Sequence, residues 1–186
     1  MKPVVMSVPK RNRLRNAIML KRRKRLSYSI CGDKSLAMAK IDKSGGCQCR
    51  RVRYTVQVDP TDAYLCHCRM CQRATGGVAA AFVGVLRADV AWDGEPDFYR
   101  SSPIAERPFC AQCGTPLGFR FLEGSDKMDL TIGSFDDPSD FVPKHHFGAE
   151  SLHEAWLDTS ALPRMRSDEY EVLVQKWAEA GAEPPE

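Results

Sequence analysis

The sequence of 186 residues predicts a mainly β domain followed by one C-terminal helix. Three observations carry that prediction. Val52, Tyr54, Val56 and Val58 alternate with Arg51, Arg53, Thr55 and Gln57, a period of two that gives a strand one buried face. Short apolar runs recur between turn-forming residues along the middle of the chain. A helical stripe of apolar residues is found only near the end.

The elements follow in order. Residues 78–86 form an apolar run that includes Phe82 and Val83 and reads as a buried strand. Residues 98–99, 104–109, 116–121 and 128–132 are further strand segments. Asp93-Gly94, Glu123-Gly124-Ser125 and Asp136-Asp137-Pro138 supply turns between them. Trp92, Phe119 and Trp156 read as core residues. In the final segment Ser167 is placed to cap a helix, and Asp168 and Glu169 suit its first turn. Tyr170, Leu173, Val174 and Trp177 then form its apolar stripe, which ends before Gly181 and Pro184-Pro185. The expected organisation is a basic tail over 1–40, a β domain over 41–166, and a helix with its tail over 167–186.

Composition narrows the functional classes. The chain is 43% hydrophobic and 27% charged, enough apolar material to bury a core. Its net charge of +3 is unevenly distributed: residues 1–36 carry +10 and the remainder −7. An acidic body argues against a nucleic-acid-binding core and leaves that role only to the tail. The tail reads as disordered, or as the product of a start upstream of Met38. A basic arm and an Arg-rich transit peptide are its sharper readings. The apolar runs fall well short of the roughly 20 residues a membrane helix needs, so no membrane partner is expected. Without an export signal or a disulfide framework, the expected compartment is the reducing cytoplasm.

Eight cysteines are the most specific feature. Seven fall into the groups Cys47-x-Cys49, Cys66-x-Cys68-x-x-Cys71 and Cys110-x-x-Cys113, while Cys31 lies apart. Thiols this close in sequence make strained disulfides and good metal ligands. A flat strand would hold the i and i+2 side chains about 6.6 Å apart. Cys47 and Cys49 therefore need a bent backbone to share a metal, and Gly45-Gly46 offers the freedom for it. Gly114 suits the tight turn of a zinc knuckle at Cys110 and Cys113. One Cys-x-Cys pair with one Cys-x-x-Cys pair makes a closed four-thiolate site of the structural kind. Cys66, Cys68 and Cys71 then leave one position open, as catalytic zincs do. Spacing alone also permits Cys68 and Cys71 to join Cys110 and Cys113, or Cys31 to close the second site, and it permits two purely structural zincs.

The segments Gly45-Gly46-Cys47-Gln48-Cys49, Cys66 through Gly76, and Phe109 through Leu117 resemble the glutathione-dependent formaldehyde-activating enzyme family, which includes centromere protein V. The likeness extends through Thr131-Ile132-Gly133-Ser134-Phe135-Asp136-Asp137 to Leu162-Pro163-Arg164. The resemblance implies a small Mss4-like, zinc-bound β domain. It assigns a structural zinc to Cys47, Cys49, Cys110 and Cys113. It assigns a catalytic zinc to Cys66, Cys68 and Cys71. Arg50 stands where the family usually has Gly, which bears on the local turn.

The activity implied is a carbon–sulfur lyase or synthase that condenses glutathione, as co-substrate, with formaldehyde or a related small aldehyde. The alternative is a non-catalytic two-zinc module that binds a partner through its surface or tail. Arg69 and Arg73 flank the second motif and are suited to glutathione carboxylates, or to screening an anionic metal site. His67 is expected to turn away from the metal, because neighbours in an extended segment alternate sides. Thr75-Gly76-Gly77 reads as a turn. His145 and His146 read as structural or exposed.

Overall fold

The structure is a computed structural model and describes residues 40–182. The tail through residue 39, with Cys31, lies outside the described residues.

Ten strands are formed among the described residues, in two sheets. The smaller sheet is antiparallel and has the order β1 (Ile41–Gly46), β2 (Arg53–Val58), β5 (Val90–Asp93). The larger contains β3 (Ala63–Cys66), β4 (Ala80–Leu86), β6 (Asp97–Ser102), β7 (Ala105–Phe109), β8 (Gly118–Phe121), β9 (Lys127–Thr131) and β10 (His146–Phe147). Its order is β10-β3-β4-β9-β8-β7-β6. All pairs in it are antiparallel except β10 with β3.

The alternation of β2 is realised: Tyr54, Val56 and Val58 are buried, and Thr55 and Gln57 face solvent. They pack with Val83, Val85, Met128 and Leu130 from the larger sheet and with Leu117 from the connection before β8. Tyr54 meets Trp92 and Phe135 edge-on, and its hydroxyl pairs with that of Ser134 at 2.8 Å. The apolar run at β4 is continuous because β4 is covered on both sides. Val83 and Val85 face this main core, whereas Ala80 and Phe82 belong to a second cluster with Cys66 and Cys71.

That second cluster marks the opposite face of the larger sheet. Residues paired directly across neighbouring strands share a face. Tyr64 pairs with Phe82, and Phe119 pairs with Asp129. Asp129 alternates with the buried Met128 and Leu130, so it stands on the outer face with Phe119, beside Gly84 of β4. The site is built on this face.

Several expectations change. The sequence shows no amphipathic signal before the final segment, yet α1 (Arg69–Thr75) forms inside the cysteine motif, closed at its C-terminus by Gly76 at φ 72°. β1, β3, β5 and β10 are strands that the apolar pattern does not mark; pairing with stronger neighbours forms them. Ser167 does not cap the last helix. It opens a short 3₁₀ turn, Ser167–Glu169, and α2 (Glu171–Glu179) begins after Tyr170 without a side-chain cap. Trp156 is 62% exposed rather than core, because the segment carrying it runs along the surface. Trp92 and Phe119 do pack against the two clusters.

Candidate functional site

Two cysteine clusters are assembled. Cys47, Cys49, Cys110 and Cys113 bring their sulfurs within 4.8 Å of one another, and Cys66, Cys68 and Cys71 do the same separately. This grouping is adopted over the one that joins Cys68 and Cys71 to Cys110 and Cys113; the alternative involving Cys31 falls outside the described residues.

The four-cysteine cluster sits where the β1–β2 and β7–β8 connections meet. β1 ends at Gly46, and the chain turns back through a bond from the Arg50 amide to the Cys47 carbonyl at 3.0 Å. Arg50 takes φ 64°, the left-handed region that favours glycine. The Gly45-Gly46 pair is needed for space rather than for conformational freedom. A Cβ on Gly45 would lie 2.4 Å from the Ser134 carbonyl and from the Tyr54 hydroxyl. At the second connection the Gly114 amide donates to the Cys110 carbonyl at 2.8 Å, with Gly114 at φ 79°. The Cys47–Cys49 and Cys49–Cys110 sulfur distances are 3.5 and 3.7 Å. Four thiolates around a zinc at 2.3 Å would stand about 3.8 Å apart. Donors also converge on the sulfurs: the Val52 amide reaches Cys47 at 3.3 Å, and Arg51 Nε reaches Cys110 at 3.4 Å. The Thr115 hydroxyl and amide pull the Cys113 thiol down to about 5. This donor set fits a tetrahedral zinc.

The three-cysteine cluster is built differently. Cys66 ends β3, Cys68 is the N-cap of α1, and Cys71 lies one turn along that helix. The Cys68 sulfur accepts the Cys71 amide at 3.4 Å and stands 3.6 Å from the Cys66 sulfur. A Cβ on Gly148 would lie 2.7 Å from the Cys68 amide nitrogen, so the backbone there closes on the cluster. Burial pushes the Cys66 thiol up to about 12. These three thiols, with the spacing of a tetrahedral edge, also fit a zinc ion, as a three-ligand site.

This cluster opens on a cavity of about 560 Å³. The outer-face residues of the larger sheet line it: Tyr64, Phe82, Phe119 and Asp129, joined by Arg107 and Ile104. Arg107 is 7% exposed and donates from Nη2 to the Cys71 sulfur at 3.4 Å. Its guanidinium lies 5.2 Å from the centre of the Phe119 ring. Burial pushes the Asp129 carboxyl up to about 6, against the opposing pull of the Tyr64 hydroxyl and Lys127.

The other predicted residues are placed as follows. Arg69 and Arg73 are exposed and do not line this cavity. They lie together in a shallow depression with Gln72, Gly77 and His153, and Arg69 bonds Gln72. His67 is 3% exposed, does not line the cavity, and pairs through Nε2 with His146 Nδ1 at 2.8 Å. His145 is exposed yet reaches the cavity wall, stacked on Tyr64 at 5.1 Å between ring centres. Arg107 and Asp129 were not singled out by the sequence reading. Arg107 interrupts an apolar strand, the one available signal. Asp129 looks like the solvent side of an alternating strand.

The model of the glutathione-dependent formaldehyde-activating enzyme family matches residues 42–151, which include all seven clustered cysteines. The chain belongs to this family. A Schizosaccharomyces pombe protein named as an uncharacterized lyase is 29% identical over 91 residues, 49% of this chain and 66% of that protein. The match thus spans just under two thirds of that relative's length. A crystal structure of a Rhodobacter sphaeroides protein aligns with 55% of this chain and 98% of its own, at 20% identity and a TM-score of 0.47. Arg50, which follows the second cysteine, holds the left-handed backbone at the turn.

Proposed function

We propose that the chain is a zinc-dependent carbon–sulfur lyase or synthase that condenses glutathione with a small aldehyde to an S-hydroxyalkyl adduct. The observation that carries this reading is the contrast in ligand number. The cluster with four thiols is complete, and the cluster with three opens on a cavity. Cys66, Cys68 and Cys71 would hold a zinc ion, which would lower the pKa of a thiol at its open position. A zinc held by Cys47, Cys49, Cys110 and Cys113 is structural.

The remaining steps belong to side chains. Three thiolates on a divalent ion leave a net negative site, and Arg107 offsets that charge through Cys71. The sulfur of the co-substrate forms a bond to the aldehyde carbon, and its proton must reach the aldehyde oxygen. Asp129, with its carboxyl near 6 inside the cavity, takes and returns that proton. Arg69 and Arg73 receive the carboxylates of glutathione from their depression beside α1. A glutathione co-substrate suits a reducing compartment, by default the cytoplasm. A purely structural second zinc, as in a binding module, would have no use for a lined cavity above its open position.

Exchange NMR on equilibrated glutathione and aldehyde tests the reading. The zinc-loaded chain is expected to accelerate adduct interconversion over background, and Cys68→Ser is expected to remove the acceleration. Two bound zincs without acceleration for any aldehyde would sink it.

A further inference from the structure

The cavity in front of Cys66, Cys68 and Cys71 is far larger than the reaction of a one-carbon aldehyde requires. At about 560 Å³ it falls among cavities that bury drug-sized ligands. A water-sized molecule takes about 30 Å³, so formaldehyde would leave most of this space to solvent. Solvent there would gain little, because the lining is aromatic and aliphatic: Tyr64, Phe82, Phe119, Phe121, Phe147 and Ile104. Besides the cysteines and Tyr64, the charged or titratable groups in the lining are Arg107, Asp129 and His145. Arg107 is already engaged with Cys71 and Phe119.

Glutathione does not fill the space well either. Its carboxylates and ammonium need polar partners, and the cations suited to them, Arg69 and Arg73, lie outside this cavity, in a depression beside α1 and, for Arg73, in a neighbouring cavity that meets this one at Met70 and Arg107. With the peptide held outside, the cavity is left for the other reactant. The geometry points to an aldehyde, or its thiol adduct, that carries an apolar body of at least the size of a phenyl ring. The ring would lie against Phe82 and Phe119, with its carbonyl end at the three cysteines. This rests on the reading proposed above and specifies its substrate class. Ile104, 65% exposed on the β6–β7 turn, stands at the cavity rim.

Benzyl alcohol is an unreactive probe of the cavity, and methanol is its one-carbon counterpart. Each is titrated into the zinc-loaded full chain while the Ile104 methyl and Phe119 ring resonances are followed. Benzyl alcohol is expected to bind saturably and at least tenfold more tightly than methanol. Ile104→Glu, at an exposed position the fold tolerates, is expected to weaken it about fivefold. Equal binding of the two alcohols, or shifts confined to residues outside the cavity, would overturn the inference. Exchange NMR with formaldehyde and phenylacetaldehyde then separates the two claims. A greater acceleration for phenylacetaldehyde supports the inference, and acceleration confined to formaldehyde overturns it while the proposed function stands. Saturable benzyl alcohol binding without acceleration of either aldehyde overturns the proposed function, and the apolar site stands.

Discussion

The two cysteine clusters use the same ligand, one drawing it from two distant motifs and the other from a single motif, and the chain treats them in opposite ways. The four-cysteine cluster ties two hairpin connections to each other, with Cys47 and Cys110 buried against the main core. Backbone and side-chain donors from Val52, Arg51 and Thr115 surround it. The three-cysteine cluster lies on the outer face of the larger sheet, in a smaller apolar cluster, with one side turned to a cavity. A buried Arg and a carboxyl shifted by burial accompany it. The difference teaches where each cluster's binding energy goes. Metal ligation at the first would join distant segments and so stabilise folding. Ligation at the second would hold only β3 and α1, which are already adjacent in sequence, and would leave charge and desolvation to serve a ligand.

Removing one thiol from each cluster puts the largest strain on that comparison. Cys110→Ser is expected to cost more than about 3 kcal/mol in urea unfolding, because a fully buried ligand and the link between hairpins are both lost. Cys68→Ser is expected to cost less than half as much. Metal analysis should fall from two zincs to one in each variant. Equal losses of stability would erase the division between the clusters.

Asp129 sharpens the contrast from the cavity side. Its carboxyl is raised from 3.8 to about 6 by burial, so the folded chain holds its proton more tightly than the unfolded chain does. The folded state is therefore favoured most below about pH 4, and that advantage is lost as pH rises through 6. Asp129→Asn is expected to raise stability by on the order of 2 kcal/mol at pH 8 and to change little at pH 4. It is also expected to abolish adduct exchange. Thermal unfolding across pH, beside the exchange assay, checks both. A gain independent of pH would remove Asp129 from the account.

Arg50 offers the smallest change, on the other side. A side chain in the left-handed region costs about 1–2 kcal/mol, and the greater freedom of glycine in the unfolded chain offsets part of that. Arg50→Gly is expected to raise stability by about 1 kcal/mol and to leave adduct exchange as it was, since the turn holds only the four-cysteine cluster. A change in exchange rate would show that the clusters are coupled.

The sequence by itself determined much of this protein. Period-two alternation marked β2, and a continuous apolar run marked β4, because covering both faces of a strand leaves no polar side to alternate. The cysteine spacings marked the ligands, because short loops decide which thiols can share an ion. Other features are set by partners distant in sequence. β1 has one large apolar residue, Ile41, and β10 has two residues in all; both exist through pairing with β2 and β3. α1 has no apolar stripe, and its start is fixed by the sulfur of Cys68 accepting the amide of Cys71. Ser167 has the chemistry of a cap, but the chain around it tightens into a 3₁₀ turn before α2 begins. Only the tertiary structure divided the seven thiols into four and three, since spacing permits several pairings and the meeting of two hairpins selects one. It alone brought Arg107, Phe119 and Asp129 from three separate strands to the lining of the cavity on which Cys71 opens. Alternation tells that a side chain leaves the core; the register of neighbouring strands decides whether it enters water or a cavity.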